Sequence, residues 1–305
     1  MISARYIVSL VACLTLAGTP ALASPLSESS QEEVWIEADD VRLGATLYRP
    51  AGATGDLPAI VTAHGSAPST RDGVGYYTNL ALSMGFAVLS FDKRGTGLSS
   101  GEYVPFSVET SDAAFHELAR DVAFAMDWLV EQDGIDNTRL GLLGGSQAGW
   151  IMPLADTMLQ EDFDIQIHFI ITGEGVPVSA GVEQAQGTAL VASVGNRQVP
   201  TRRDILAGDA AAYAYDGPDG FDPSMALSAS DTPIFWIFGL SDWVIPVMPS
   251  IDAIGERIAA GETRHHLHIL PFGDHNFTNT STGERYDLAR ICRDWLVSQG
   301  VLAPE

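Results

Sequence analysis

The chain has 305 residues, of which 46% are hydrophobic and 18% are charged, a composition typical of one large globular domain with a well-buried core. Its 39 acidic and 16 basic side chains give a formal net charge of −23. A surface this negative repels nucleic acid and anionic lipid, so neither is an expected partner. The acidic residues are scattered along the chain, which favours a solvated surface over an acidic binding tail.

Residues 1–23 predict an export signal. Arg5 supplies a short positive region, residues 6–18 are apolar, and residues 21–23 form an Ala-Leu-Ala cleavage site. The apolar stretch is too short to predict stable membrane insertion. We therefore expect a periplasmic or extracellular protein that begins at Ser24 after cleavage. The alternative is a lipoprotein anchored at Cys13, because residues 10–13 read Leu-Val-Ala-Cys, as in a bacterial lipobox.

Once residues 1–23 are removed, Cys292 is the one cysteine left, so no intrachain disulfide is expected. It lies in a helical pattern, which predicts a small buried apolar residue rather than a reactive thiol.

The chain then alternates between strand-like and helix-like runs. Residues 24–32 are rich in Ser and Glu and predict a loose arm, and residues 34–36 and 42–48 predict an antiparallel hairpin. Further strands are predicted at residues 57–63, 86–91, 139–145, 165–171, 233–239 and 265–269. Helices are predicted at residues 77–84, 111–131, 150–159, 250–260 and 286–297.

This alternation predicts an α/β fold. Continuous apolar strands between helices indicate a mostly parallel sheet of about eight strands that is covered by helices on both faces. Residues 24–305 then form a single domain, and residues 176–229, which are rich in Gln and Ala and broken by prolines, form an inserted helical cap. In such a sheet, ligands bind beyond the carboxyl ends of the strands.

One stretch organises the predicted site. Residues 141–150 read Gly-Leu-Leu-Gly-Gly-Ser-Gln-Ala-Gly-Trp, which predicts a strand, a sharp turn and a helix with the hydroxyl of Ser146 at the apex. The usual nucleophile elbow is G-x-S-x-G, and Ala148 stands here in place of the last glycine. An ordinary Gly/Ser turn is the alternative. However, His64, Asp242 and His275 also follow predicted strand ends, which places all four groups at one edge of the sheet.

With these motifs in place, the chain resembles the α/β-hydrolases, and within them the secreted bacterial esterases and serine-aminopeptidase-like enzymes. The resemblance rests on His64-Gly65-Ser66, on the Asp-Lys-Arg-Gly-x-Gly-x-Ser run at residues 92–99, and on the elbow at residues 144–149. It spans residues 33–300, and the chain order of nucleophile, acid and histidine also matches.

The resemblance implies a catalytic triad. Ser146 is the predicted nucleophile and His275 the predicted base, preferred over the six other histidines. Asp242 is the predicted orienting acid, with Glu174 and the adjacent Asp274 as rivals.

The predicted oxyanion hole consists of the backbone N–H groups of Gln147 and Ser66, with His64 and Gly65 supporting the loop. The charged residues 92–94 are expected to form ion pairs and order their loop rather than act in catalysis. No metal-ligand or phosphate-loop spacing is present, so no metal or other cofactor is expected.

The expected activity is hydrolysis of carboxylic esters through an acyl-enzyme on Ser146. The alternatives are a serine peptidase or amidase, a thioesterase, and a hydrolase-fold binding protein without catalysis. The expected partner is a small ester or a short acyl or peptidyl substrate, and the sequence does not indicate an oligomeric state.

Five aromatic residues are candidates for pocket walls or for core packing: Trp150, Tyr213, Tyr215, Phe221 and Trp243.

Overall fold

The computed structural model describes residues 24–304, so the export signal and Cys13 lie outside the described residues. Within residues 24–304, no helix is long and apolar enough to cross a membrane. In chain order the elements are α1 (Pro25–Glu28), β1 (Ser30–Ala38), β2 (Val41–Arg49), β3 (Leu57–Ala63), α2 (Gly75–Ser83), β4 (Ala87–Phe91), α3 (Ser111–Val130), β5 (Ile135–Gly145), α4 (Ala148–Asp162), β6 (Phe169–Gly173), α5 (Ala180–Val194), α6 (Arg202–Tyr213), α7 (Ser224–Ala229), β7 (Ile234–Gly239), α8 (Val247–Ala259), β8 (His265–Leu270) and α9 (Leu288–Ser298).

The eight strands form one sheet in the order β1-β2-β4-β3-β5-β6-β7-β8. β1 pairs with β2, and β2 with β4, in antiparallel fashion, and the remaining neighbours are parallel. The predicted sheet of about eight mostly parallel strands is therefore confirmed. β5 lies between β3 and β6, so its carboxyl end opens at the middle of the sheet edge.

Helices cover both faces because the strand side chains alternate between two apolar layers. Ala59 and Val61 of β3 belong to the layer under α3 and α4, whereas Ile60 between them belongs to the layer under α2 and α9. Both layers are nearly closed to solvent, and full burial of each Leu, Ile or Phe contributes about 1.5–3 kcal/mol. Cys292 on α9 lies in the second layer, fully buried as predicted, and burial raises the pKa of its thiol to about 12.

Two predicted segments differ from the structure. Residues 24–32 are not a loose arm: the Leu26 N–H donates to Oδ1 of Asn79, which ties α1 to α2, and β1 already begins at Ser30. The strand predicted at residues 165–171 is instead β6, Phe169–Gly173, because its pairing with β5 begins at the register Gly141–Phe169.

Residues 176–229 contain three helices, α5 to α7, between β6 and β7. α5 begins at a Ser179 cap whose hydroxyl accepts from Val182 N–H at 3.3 Å. α6 begins with a capping box in which Thr201 and Asp204 exchange hydrogen bonds. α5 and α6 pack against each other, and α6 also contacts α8, so the insertion reaches the segment that follows β7.

Candidate active site

Ser146 sits on the turn between β5 and α4 in a left-handed backbone conformation with φ of 57°. Its N–H donates to the carbonyls of Gly173 and Glu174, at 3.2 and 3.1 Å. A positive φ is unfavourable for a residue with a Cβ, so it persists only where neighbouring structure enforces it. The hydrogen bonds to the end of β6 supply that constraint and hold the serine at the apex of the turn.

Close backbone approach explains the small residues around Ser146. A Cβ added to Gly144 would lie 2.6 Å from the Ala63 carbonyl oxygen and 2.7 Å from the Ala148 Cβ. The Ala148 methyl group therefore occupies space that Gly144 leaves free. Gly149 cannot carry a side chain either, because an added Cβ would lie 2.3 Å from Val176 N. The departure from G-x-S-x-G is accommodated because the close approach of α4 to the segment after β6 falls at Gly149, one residue later.

His275 and Asp242 are joined directly. Nδ1 of His275, in the loop after β8, lies 2.7 Å from Oδ2 of Asp242, in the loop after β7. The Asp242 side chain is fully buried, and its Oδ1 accepts from Val244 N–H at 2.7 Å. Burial of the imidazole opposes its protonation, but the charge of Asp242 and the shared hydrogen bond outweigh burial and raise the pKa of His275.

The rival acid Asp274 has a different task. Its Oδ1 accepts from the N–H groups of Asn276 and Thr278, at 2.9 and 2.8 Å, so it folds the loop that carries His275.

The other rival, Glu174, lies at the end of β6 with φ of 51° and is 1% exposed. Its Oε1 accepts from Gly239 N–H at 2.7 Å, and its side chain contacts Asp242 rather than the imidazole. The structure thus places both predicted acid positions side by side, with Asp242 as the partner of His275.

The loop after β3 lies against the serine. A Cβ added to Gly65 would be 3.7 Å from Ser146 Cβ, so the backbone of this loop borders Ser146. His64 is buried, and its Nε2 lies 2.6 Å from the Phe91 carbonyl oxygen. Burial and the charge of Lys93 lower the pKa of His64 to about 4, so the ring is neutral and donates from Nε2. Gln147, whose N–H is the other predicted oxyanion donor, immediately precedes α4.

Lys93, the one lysine of the chain, is buried beneath this loop. Its Nζ donates to the Gly65 carbonyl at 2.5 Å, the Ala67 carbonyl at 3.1 Å and Oε1 of Gln147 at 3.1 Å. In a trans peptide the C=O and the following N–H point in opposite directions. Because Lys93 holds the Gly65 carbonyl, the Ser66 N–H is directed to the opposite side of the loop.

The neighbours of Lys93 form the ion pairs expected for residues 92–94. Asp92 pairs with Arg71 at 3.0 Å, and Arg94 pairs with Asp121 at 2.8 Å. Lys93 instead orders the loop after β3, a contact that the sequence did not predict, although a single lysine two residues after a buried strand was a usable signal.

Two of the candidate pocket aromatics belong to the core. Trp150 is 2% exposed, stacks on Phe115 and donates from Nε1 to the Val178 carbonyl at 2.7 Å. Phe221 is 3% exposed and packs edge-on against Phe115. Trp243, next to Asp242, is 36% exposed and remains a candidate for the wall of a substrate site.

The fold is that of the α/β-hydrolases, and the contact between His275 and Asp242 lies at the sheet edge where β5 ends at the turn of Ser146. The model of the X-Pro dipeptidyl-peptidase (S15) family matches residues 39–170, fewer than half of the chain. The matched part contains the elbow and the His64 loop but neither Asp242 nor His275. An uncharacterized 31.7 kDa protein of Escherichia coli is 33% identical over 95 residues, and the chain spans 30% of the length of the curated relatives that it matches.

An esterase, a peptidase and a dienelactone hydrolase are among the solved structures that are similar to this one. An esterase from Pyrococcus furiosus has a TM-score of 0.62 and 18% identity, over 94% of this chain and 96% of its own. An acylaminoacyl peptidase from Pyrococcus horikoshii has a TM-score of 0.63 and 16% identity, over 92% of this chain and 43% of its own. A dienelactone hydrolase from Anabaena variabilis has a TM-score of 0.56 and 19% identity, over 89% of this chain and 98% of its own. The structures confirm the predicted fold, and with the family match they indicate a serine hydrolase.

Proposed function

We propose that this protein is an exported serine esterase that cleaves small carboxylic esters through an acyl-enzyme on Ser146. The observation that carries the proposal is the 2.7 Å contact between His275 Nδ1 and the buried Asp242, at the same sheet edge as the strained Ser146. A serine hydroxyl attacks a carbonyl only when a base removes its proton. A histidine oriented by a buried carboxylate is suited to that task.

In the proposed mechanism, Ser146 Oγ attacks the carbonyl carbon while Nε2 of His275 takes the hydroxyl proton. Asp242 holds the Nδ1–H and stabilises the imidazolium. The N–H groups of Gln147 and Ser66 bind the oxyanion of the tetrahedral intermediate, and each such donor contributes about 3 kcal/mol to transition-state stability. The alkoxide then leaves with the proton of His275. Water activated by His275 releases the acid and regenerates Ser146.

Residues 1–23 and 176–229 complete the proposal. The pattern of residues 1–23 supports export to the periplasm or the extracellular space, with a lipid anchor at Cys13 as the alternative. The helices α5 to α7 are proposed to form a cap that shapes the substrate pocket. The net charge of −23 favours neutral or cationic substrates over polyanions.

A peptidase is the second candidate, because the family model that matches residues 39–170 is that of a dipeptidyl-peptidase. The same triad can cleave an amide when the leaving amine is protonated by the histidine. The two activities differ in the substrates that bind, which the side chains of the insertion would select.

A substrate panel distinguishes these functions. The protein is assayed with p-nitrophenyl esters of graded acyl length and with aminoacyl p-nitroanilides, with Ser146→Ala as the control. Ester turnover that disappears in Ser146→Ala supports the esterase, and turnover of nitroanilides alone assigns a peptidase. Turnover that persists in Ser146→Ala refutes the mechanism. If neither class reacts and a fluorophosphonate fails to label Ser146, the chain is a non-catalytic hydrolase-fold protein.

A further inference from the structure

Glu174 links Ser146 to the end of β7 and to Asp242 through three separate contacts. Its carbonyl accepts the Ser146 N–H at 3.1 Å, and its Oε1 accepts the Gly239 N–H at 2.7 Å. Its carboxyl group also lies beside the carboxyl group of Asp242, where a hydrogen bond can form if one of the two carries a proton. The residue holds a left-handed conformation with φ of 51°, which a non-glycine residue keeps only where surrounding contacts enforce it.

Two buried carboxyl groups in contact cannot both be ionised without a large repulsion, so one proton is shared between them. Asp242 accepts two N–H donors, from Val244 and from the imidazole of His275. Glu174 accepts one, and its buried Oε2 has no donor within the described residues. The negative charge is therefore more stable on Asp242, and the proton belongs on Oε2 of Glu174.

The remaining groups around Glu174 favour the same state. Tyr77 on α2 and Asp274 in the His275 loop both act on it electrostatically, and neither supplies a positive charge. Burial, the charge of Asp242 and the hydrogen bond with Asp242 raise the pKa of Glu174 well above its usual value.

We infer that Glu174 is a neutral carboxylic acid at neutral pH and a positioning residue of the triad, donating from Oε2–H to the carboxylate of Asp242. The inference rests on the proposed function, since it assigns Glu174 a task in that triad. The donated hydrogen bond orients Asp242 and withdraws part of its charge from the imidazole. It thereby lowers the proton affinity of His275 relative to a site with Asp242 alone.

Three proteins test this role: wild type, Glu174→Gln and Glu174→Met. Glutamine keeps an acceptor for Gly239 and a donor for Asp242, whereas methionine keeps the side-chain length and removes both. Asp156→Asn, which alters a buried carboxyl bound to Ser230, controls for the loss of a buried carboxyl elsewhere. The measurement is kcat/KM for p-nitrophenyl acetate as a function of pH. The acid limb, where kcat/KM falls as the pH decreases, reports the pKa of the base in the free enzyme.

The acid limb of Glu174→Gln should coincide with that of wild type, since one neutral donor replaces another. In Glu174→Met the limb should move to higher pH, because Asp242 then acts on His275 with its full charge, and kcat should fall about 10- to 100-fold. If the acid limb of Glu174→Gln lay about one pH unit or more below that of wild type, Glu174 would be ionised in the wild-type protein, because the substitution would then have removed a negative charge. If the acid limb of Glu174→Met coincided with that of wild type, Glu174 would not be coupled to Asp242.

A second readout keeps the inference independent of turnover. Proton NMR detects the downfield Nδ1–H between His275 and Asp242, and its titration gives the pKa of His275 directly. We expect the same order of pKa values, with Glu174→Gln equal to wild type and Glu174→Met higher. Absence of ester turnover in wild type would refute the proposed function, whereas a shifted Glu174→Gln titration refutes the inference alone. If Glu174→Met does not fold, the titration of His275 in Glu174→Gln still shows whether Glu174 is neutral or ionised.

Discussion

The carboxylate of Asp242, which is fully buried, accepts a hydrogen bond from Nδ1 of His275 at 2.7 Å. The two residues are 33 positions apart and come from loops after adjacent strands, β7 and β8. Because β7 and β8 are parallel and hydrogen-bonded, their carboxyl ends lie side by side. The pairing of β7 with β8 therefore places Asp242 near His275, and the two loops set the 2.7 Å contact.

Replacement of Asp242 should prevent His275 from acting as a base. Asp242→Asn retains the shape but presents an amide to Nδ1, which favours the wrong imidazole tautomer. We expect kcat/KM for an ester to fall about 10³- to 10⁴-fold, and any residual acid limb to move to lower pH because the supporting charge is lost. Steady-state kinetics against pH provide the measurement.

The matched control is Asp274→Asn, because asparagine can still accept the N–H groups of Asn276 and Thr278 through Oδ1. This variant should keep most of the wild-type rate. If both substitutions caused the same loss, Asp242 would have no special role.

His64 should make the fold sensitive to acid. Its pKa in the folded chain is about 4, below the ordinary 6.5, because the ring is buried and lies near Lys93. Between those values the unfolded chain binds a proton that the native chain cannot. The free energy of unfolding therefore decreases as pH falls from 6.5 to 4, by about 3 kcal/mol, and this contribution is constant above pH 6.5.

Urea unfolding of wild type and of His64→Gln at several pH values tests this. The variant should lose that part of the pH dependence and keep the part due to carboxyl groups and to His265, whose pKa burial also lowers to about 4. An identical slope in His64→Gln and wild type would contradict the expectation.

The sequence predicted the parts of this molecule that depend on local pattern. Apolar runs located the strands, and the parallel fold then placed Ser146, Asp242 and His275 at one edge. The start of β6 at Phe169 was missed because residues 165–168 are also apolar in alternation, and only pairing with β5 decides where the strand begins.

Contacts between distant loops could not be predicted in this way. Glu174 reaches Gly239 across 65 positions, and Lys93 reaches Gly65 across 28. In the sequence, Glu174 was a rival of Asp242 for one role. The structure shows instead that both carboxyl groups occupy the site together, an arrangement that depends on side-chain packing and not on periodicity.

Lys93 should control the oxyanion loop. Lys93→Met removes the three hydrogen bonds that hold the Gly65 and Ala67 carbonyls and the Gln147 side chain. The Ser66 N–H then loses its fixed direction, so we expect kcat to fall about 10- to 100-fold with little change in KM. Kinetics with a p-nitrophenyl ester measure the effect, and circular dichroism checks the fold.

Arg42→Met is the matched control for the loss of one positive charge, because Arg42 forms an exposed ion pair with Glu37. Its rate should stay within about twofold of wild type. If Lys93→Met folded and kept the wild-type kcat, the loop after β3 would not need Lys93 to keep its conformation.

Gly149, and not the usual glycine position at residue 148, should be intolerant of a side chain. An added Cβ would lie 2.7 Å from the carbonyl carbon of Gly175 and collide with Val176 N, whose N–H donates to the Ser146 carbonyl at 3.3 Å. Gly149→Ala therefore forces apart α4 and the segment after β6. We expect a loss of about 3 kcal/mol in the free energy of unfolding, together with loss of ester turnover.

Gly255→Ala on α8 provides the comparison, because nothing lies within 4 Å of the added Cβ. That substitution should stabilise the protein by about 0.5–1 kcal/mol, since alanine is the better helix former. Urea unfolding of both variants measures the difference. Equal stability of the two would mean that the elbow can widen to admit a methyl group, and the close approach at Gly149 would then not be what holds Ser146 in place.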